Sequence, residues 1–269
     1  MAKLKPEQAD KGVGEGGSLL VLAILALLVG GAVGVVGTAF RVSLAWADRL
    51  RDAMVSWSHA ASVAGLALVV ASCAVATGVA AWLVRRFSAH ASGSGIPHVE
   101  AVLKGELPPA PFSLIPVKFM GGVLAIGSGL ALGREGPCVQ MGAGVGHLVG
   151  AVFRRSWPDS RVLLAAGAGA GLATAFNAPI SGAIFVLEEL VRQLETRIAI
   201  AALGASTAAI LVARLFLGAA PEFRVEALPY PGSAAIALSF VLGGVAGVVA
   251  VTYNYALLQA IAAAARLNR

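Results

Sequence analysis

Charge is scarce in this chain. Of 269 residues only 13% are charged, about half the roughly 25% of an ordinary soluble domain. So little charge cannot cover a soluble surface, and disorder, which needs a polar and charged composition, is excluded with it. Cysteine is nearly absent. Cys73 and Cys138 both fall in apolar stretches, give neither a disulfide framework nor a metal signature, and read as small buried packers. Nothing resembles a P-loop or a catalytic triad, so no metal, nucleotide or other cofactor is expected, and no enzyme. The net charge of +6 does not point to nucleic acid, because the basic residues form short clusters between apolar runs. Polytopic membrane proteins distribute them in this way.

What is present is hydrophobicity, at 58% of the chain. A bilayer-crossing helix needs about 20 apolar residues, and the runs 18–40, 53–84, 162–187 and 233–265 meet that length, with 198–213 marginal. The first run follows Lys3, Lys5 and Lys11 and is too long for a signal-peptide core. Residues 1–17 therefore read as a cytoplasmic tail, and 18–269 as one membrane domain. Asn177 and Pro179 interrupt the third run, and the segments 119–132 and 136–153 are too short or too glycine-rich for simple spans. Interrupted apolar segments are the mark of discontinuous membrane helices. These are tolerated only where their freed backbone groups face protein or an aqueous cavity. A site is therefore sought between residues 92 and 189.

Arg85, Arg86, Lys104, Arg154, Arg155, Arg161, Arg192 and Arg197 can share one side with both termini, and Arg41, Arg49, Arg51, Arg214 and Arg224 fall opposite. The larger set marks the cytoplasm, which predicts a multi-pass protein of the plasma or inner membrane with a cytoplasmic N-terminus. Glycines recur four residues apart at Gly30/Gly34, Gly142/Gly146/Gly150 and Gly167/Gly171, a spacing that lets helix backbones approach closely. The stretch 104–118, with Pro108, Pro109, Pro111 and Pro116, reads as a rigid surface connection.

Three constellations carry chemistry. Gly93-Ser94-Gly95-Ile96-Pro97 reads as a helix start, with Ser94 as a cap and Pro97 in the first turn. Its loose N–H groups and the Ser94 hydroxyl can hold an anion without a basic side chain, although for the motif taken alone an ordinary capped start is the favoured reading. Gly133-Arg134-Glu135-Gly136-Pro137 places a costly carboxylate in the membrane interior. There the positive end of a helix favours it, so Glu135 is a tethered competitor for an anion that protonation releases. The other reading is a buried pair with Arg134. The segment 175–189 starts a short helix at Pro179, capped by Asn177 or Ala178, and closes on Glu188 and Glu189. At a helix C-terminus carboxylates are harder to ionise, which suits a proton acceptor. Pairing with Arg192 or Arg197 is the alternative, and it is favoured for Glu188.

Together, GSGIP, GREGP and APISGAIFVLEE resemble the CLC family of chloride channels and chloride/proton exchangers, in that family's order and about its spacing. The resemblance runs from residue 18 to the end. It implies an all-α membrane fold of broken, re-entrant and tilted helices, corresponding to one inverted repeat. Ser94 matches the serine that contacts chloride; a proline there implies nitrate preference, and the fluoride branch departs from serine too. Glu135 matches the external gating glutamate and Glu189 the internal proton-transfer glutamate, whose presence favours exchange over simple conduction. Backbone N–H groups of Gly95, Ile96 and Gly136 match the anion donors. The implied partners are chloride, protons and lipid.

The chain departs from the family in carrying only the first of two inverted halves. No second Gly-x-Phe-x-Pro motif follows, and Tyr230, Tyr253 and Tyr255 lie in the wrong region for the family's late tyrosine. The expected function is proton-coupled chloride transport, with a homodimer or a complementary second half as the protein partner. A passive channel, a half-transporter inactive alone and a cation transporter using the two glutamates are the alternatives. Half of the coordination shell alone is expected to bind chloride weakly.

Overall fold

A computed structural model describes residues 15–60, 63–219 and 232–267. The expected tail lies outside these residues up to residue 14. In chain order the helices are α1 (Glu15–Ala60), α2 (Val63–Phe87), α3 (Ile96–Leu103), α4 (Leu114–Gly127) and α5 (Glu135–Val152), followed by α6 (Trp157–Phe176), α7 (Pro179–Phe185), α8 (Thr196–Leu217) and α9 (Ser233–Leu267). A 3₁₀ turn at Ala89–Ala91 precedes α3, and a π-helical turn at Val186–Val191 follows α7. The described residues contain no strand. Two units divide the chain, at residues 222 and 223. The second contains α9; the first contains the other helices.

Among the described residues four helices are long and apolar enough to cross a membrane: Leu19–His59, Val63–Phe87, Thr196–Leu217 and Ala235–Ala264. The protein is thus a multi-pass, all-α membrane protein with long and broken helices. The shorter helices, α3 to α7, occupy the irregular middle that the sequence marked for a site.

The first spans differ from expectation. Residues 18–40 and 53–84 were expected as separate crossings, but α1 continues unbroken through the polar stretch between them. That stretch contains neither glycine nor proline. Its charges are satisfied within and beside the helix: Arg51 bonds Asp48 at 2.8 Å and Asp52 at 3.1 Å, and Arg41 donates to the Thr174 carbonyl at 3.0 Å. The connection expected over 104–118 ends early for a related reason. Proline is tolerated in a first helical turn, so α4 starts at Leu114 and takes in Pro116 and Lys118. Cys138 is buried as expected, whereas Cys73 is only half-buried.

The core of the first unit is α6, nearly all of whose residues are buried. Backbone packs directly on backbone there. A methyl group at Gly142 would strike the Gly167 carbonyl oxygen, and one at Gly167 would strike that of Gly142. Gly146 meets Leu163 and Gly171 meets Cys138 in the same way. The α1–α8 contact repeats the device, with a methyl at Gly34 falling 2.7 Å from the Ala209 carbonyl oxygen. The expected glycine faces are therefore real contact faces, and they set the depth at which α5 lies. Charged groups tie the far ends of these helices. Asp159, at the start of α6, accepts from Arg155 and from Arg197 of α8, the latter at 2.8 Å. Arg161 bonds the Leu103 carbonyl at 2.9 Å and Glu195 at 3.0 Å.

Close packing separates two otherwise similar substitutions. Gly142→Ala places a methyl inside the α5–α6 contact and is expected to destabilise by about 1–3 kcal/mol. Gly78→Ala, where nothing lies within 4 Å, is expected to gain up to about 1 kcal/mol from helix propensity. Thermal melts of the two variants in one detergent should shift in opposite directions.

Candidate functional site

The turn before α3 is shaped by glycine. Gly93 and Gly95 have φ of +66° and +92°, values that other residues adopt only under strain. Gly95 occupies the cap position of α3, no side chain caps the helix, and Pro97 lies in its first turn. The expected cap, Ser94, stands one residue too early for that role. The Ser94 hydroxyl instead lies against the start of α5, where a methyl at Gly136 would fall 2.5 Å from it. Only glycine at position 136 permits this approach.

Lys118 holds the turn from below. It is buried within α4, and its ammonium donates to the carbonyls of Ala91 at 3.0 Å and Gly93 at 2.7 Å. These oxygens lie where the chain leaves regular structure, and an ammonium is a strong partner for them. Gln140 of α5 supports the turn from behind. Its side chain is 2% exposed, its amide nitrogen donates to the His90 carbonyl at 2.8 Å, and it fills the space a Cβ at Gly95 would need.

Glu135 is the first residue of α5, at the positive end of that helix as the sequence suggested. It is half-buried, and its carboxylate folds back against Gly133. A cavity of about 660 Å³ opens between these parts, and Arg85, Ser94, Ile96, Lys118, Glu135 and Gly136 are among the residues lining it. The first turns of α3 and α5 thus meet at one cavity. Proline takes one of the four start positions in each helix, Pro97 in α3 and Pro137 in α5, so three N–H groups at each start have no partner within the helix, and two basic side chains add to their positive potential. Such a cavity favours an anion and accepts the Glu135 carboxylate on the same grounds.

Of the residues singled out from sequence, Ser94, Ile96, Glu135 and Gly136 line this cavity. Gly95, also expected as a donor, is buried against Gln140 and is not among the residues lining the cavity. Glu189 lies elsewhere, exposed on the π-helical turn Val186–Val191. Asn177 adopts a left-handed conformation that ends α6, and Ala178 takes the cap position of α7. Arg192 donates to the Glu189 carbonyl at 3.3 Å and pairs with Glu100 at 3.4 Å. Arg197, also offered as a partner for the glutamate pair, bonds Asp159. Sequence reasoning missed Lys118 and Gln140. A lysine between apolar neighbours was the available signal for the first, since an ionisable group inside a membrane segment is costly. Nothing local marks Gln140.

Comparison with known proteins gives the family. Residues 74–269 match the family described as voltage gated chloride channel. The chain is 36% identical over 261 residues to the H(+)/Cl(-) exchange transporter ClcA of Vibrio cholerae, covering 95% of this chain and 55% of that transporter. With the transporter of the same name from Salmonella arizonae it is 37% identical over 246 residues, covering 89% and 51%. It spans about half the length of the curated relatives it matches. Among solved structures, a slow cyanobacterial Cl-/H+ antiporter superposes with a TM-score of 0.76 at 31% identity, over 85% of this chain and 54% of the other. A CLC-type fluoride/proton antiporter shares the fold, with a TM-score of 0.71 at 24% identity, over 87% and 56%. On the matched residues, the identity to its relatives and the shared fold, the chain belongs to the CLC family of voltage-gated chloride channels and chloride/proton exchangers.

Proposed function

We propose that this chain moves chloride across a membrane in exchange for protons, using the cavity between the starts of α3 and α5. The observation that carries this reading is the convergence of Ser94, Ile96, Glu135 and Gly136 on one cavity that also contains Lys118. Chloride takes the Ser94 hydroxyl and the N–H groups of Ile96 and Gly136 as donors. Glu135 competes for the same positive ground while ionised. Protonation removes its charge, and chloride passes. Glu189, exposed on the π-helical turn, receives protons from the opposite face. The N-terminus faces the cytoplasm in this reading, since the basic ends of α2, α5 and α6 mark that side. The partner within the membrane is a second copy of the chain or a complementary half that supplies the remaining donors.

A flux assay tests the reading. The purified chain is placed in liposomes loaded with chloride, and chloride efflux is recorded together with external pH. Coupled efflux and proton uptake are expected, either from the chain alone or once a complementary half is supplied. Chloride efflux without proton movement would make the protein a passive channel. No flux under either condition would remove the transport reading altogether.

Two sets of variants separate the roles. Glu135→Ala is expected to abolish proton coupling while chloride still moves, and Glu189→Gln is expected to cut proton uptake by at least about tenfold, roughly 1.4 kcal/mol of coupling. Lys118→Met leaves two carbonyls without their ammonium and removes a positive charge from the cavity. Calorimetric titration should then find chloride binding about tenfold weaker or worse, given that a hydrogen bond to a charged group contributes about 1.5–3 kcal/mol. Lys118→Arg should recover part of that affinity.

A further inference from the structure

A second, much smaller cavity lies behind the turn, between α3, α5 and the chain entering α4. Its volume is about 20 Å³, against the roughly 10–15 Å³ that one water molecule needs. On α5 the lining residues are Gln140, Ala143, Gly144 and His147, a single helical face, and His98 approaches from α3. Three of these residues each bury a polar atom with no hydrogen-bond partner in the protein: Nε2 of His98, Oε1 of Gln140 and Nδ1 of His147.

Their orientations are constrained. The Gln140 nitrogen faces the His90 carbonyl, so turning the amide over would set two acceptors against each other, and Oε1 must be the free end. The His98 ring lies 5.1 Å from that of His90, and the His147 ring stacks on Phe112 at 5.5 Å. The other walls, among them Val99, Val102 and Leu164, offer no side-chain hydrogen bond. Leaving several buried polar groups unsatisfied is costly. A ligand for this place must be small, must donate to an amide oxygen and must bond imidazole nitrogens.

We propose that this cavity is a buried hydration site, in which water bonded by His98, Gln140 and His147 fixes the Gln140 amide and, through it, the turn at Gly95. Gln140 is a positioning residue in this account. Water holds its oxygen, the His90 carbonyl holds its nitrogen, and its body blocks retreat of Gly95. The turn that presents Ser94 is thereby clamped between Lys118 on one side and hydrated Gln140 on the other. That the turn serves an anion rests on the chloride reading above; the hydration site does not, and the experiment reads it directly.

The full chain, labelled with ¹⁵N at histidine and glycine, is placed in lipid bilayers and studied by water-edited solid-state NMR. Magnetisation is expected to pass from water to His98 Nε2 and His147 Nδ1. Gln140→Met keeps the side-chain length but removes the amide oxygen and nitrogen. It should weaken the transfer to His98 and shift the Gly95 amide resonance. His147→Phe preserves the stack on Phe112 and removes one water partner of three, so transfer to His98 should fall; it serves if Gln140→Met does not fold. No transfer to either nitrogen in the unsubstituted chain would overturn the hydration site. Transfer that is present, with a Gly95 resonance unmoved by Gln140→Met, would overturn the bracing role. Absence of chloride flux with both signals intact would count against the transport reading alone.

Discussion

A buried ammonium makes the broken helix tenable. Where the chain leaves α2 and turns into α3, the carbonyls of Ala91 and Gly93 lose their helical partners inside a membrane protein, and bilayer hydrocarbon offers no water to replace them. Lys118 donates to both. The lysine is itself costly to bury, and the two carbonyls satisfy it in return. Because the bonds fix the backbone on both sides of Ser92, they also fix the direction in which Ser94 and the start of α3 face. Remove the ammonium and the turn loses its reason to hold that shape, along with half of the basic charge that Arg85 and Lys118 bring to the cavity.

The second support is the absence of side chains. α5 reaches the turn because glycine lets it lie directly on α6, Gly142 against Gly167 and Gly146 against Leu163, and because Gly136 leaves room for the Ser94 hydroxyl. Each of these contacts is a place where a methyl group does not fit. The position of Glu135 follows from them, since it is the first residue of a helix whose depth is set by packing along its length. Rigidity in the buried α5–α6 pair and looseness of backbone donors at the first turns of α3 and α5 thus belong to one arrangement.

Much of this was legible in the sequence. The low charge and long apolar runs marked a membrane protein; Gly95-Ile96-Pro97 and Gly136-Pro137 marked helix starts; the four-residue glycine spacing marked packing faces. What escaped was of two kinds. The polar stretch 41–52 was expected to separate two crossings, yet it has good helix formers and neighbouring aspartates, so α1 runs through it. Contacts made across long sequence separations left no local trace. Lys118 bonds residues 25 and 27 positions earlier, and Gln140 bonds one 50 positions earlier. The π-helical turn that carries Glu189 was invisible too, because the sequence there continues the apolar pattern of an ordinary helix.

The central claim is that an anion sits where the starts of α3 and α5 meet. Crystals of the protein grown in bromide, with anomalous scattering measured at the bromine edge, test it most directly. An anomalous peak is expected within hydrogen-bonding reach of the Ser94 hydroxyl and the N–H groups of Ile96 and Gly136, displaced when Glu135 is ionised and strengthened in Glu135→Gln. Bromide bound only elsewhere, with no density in that cavity in either protein, would contradict it.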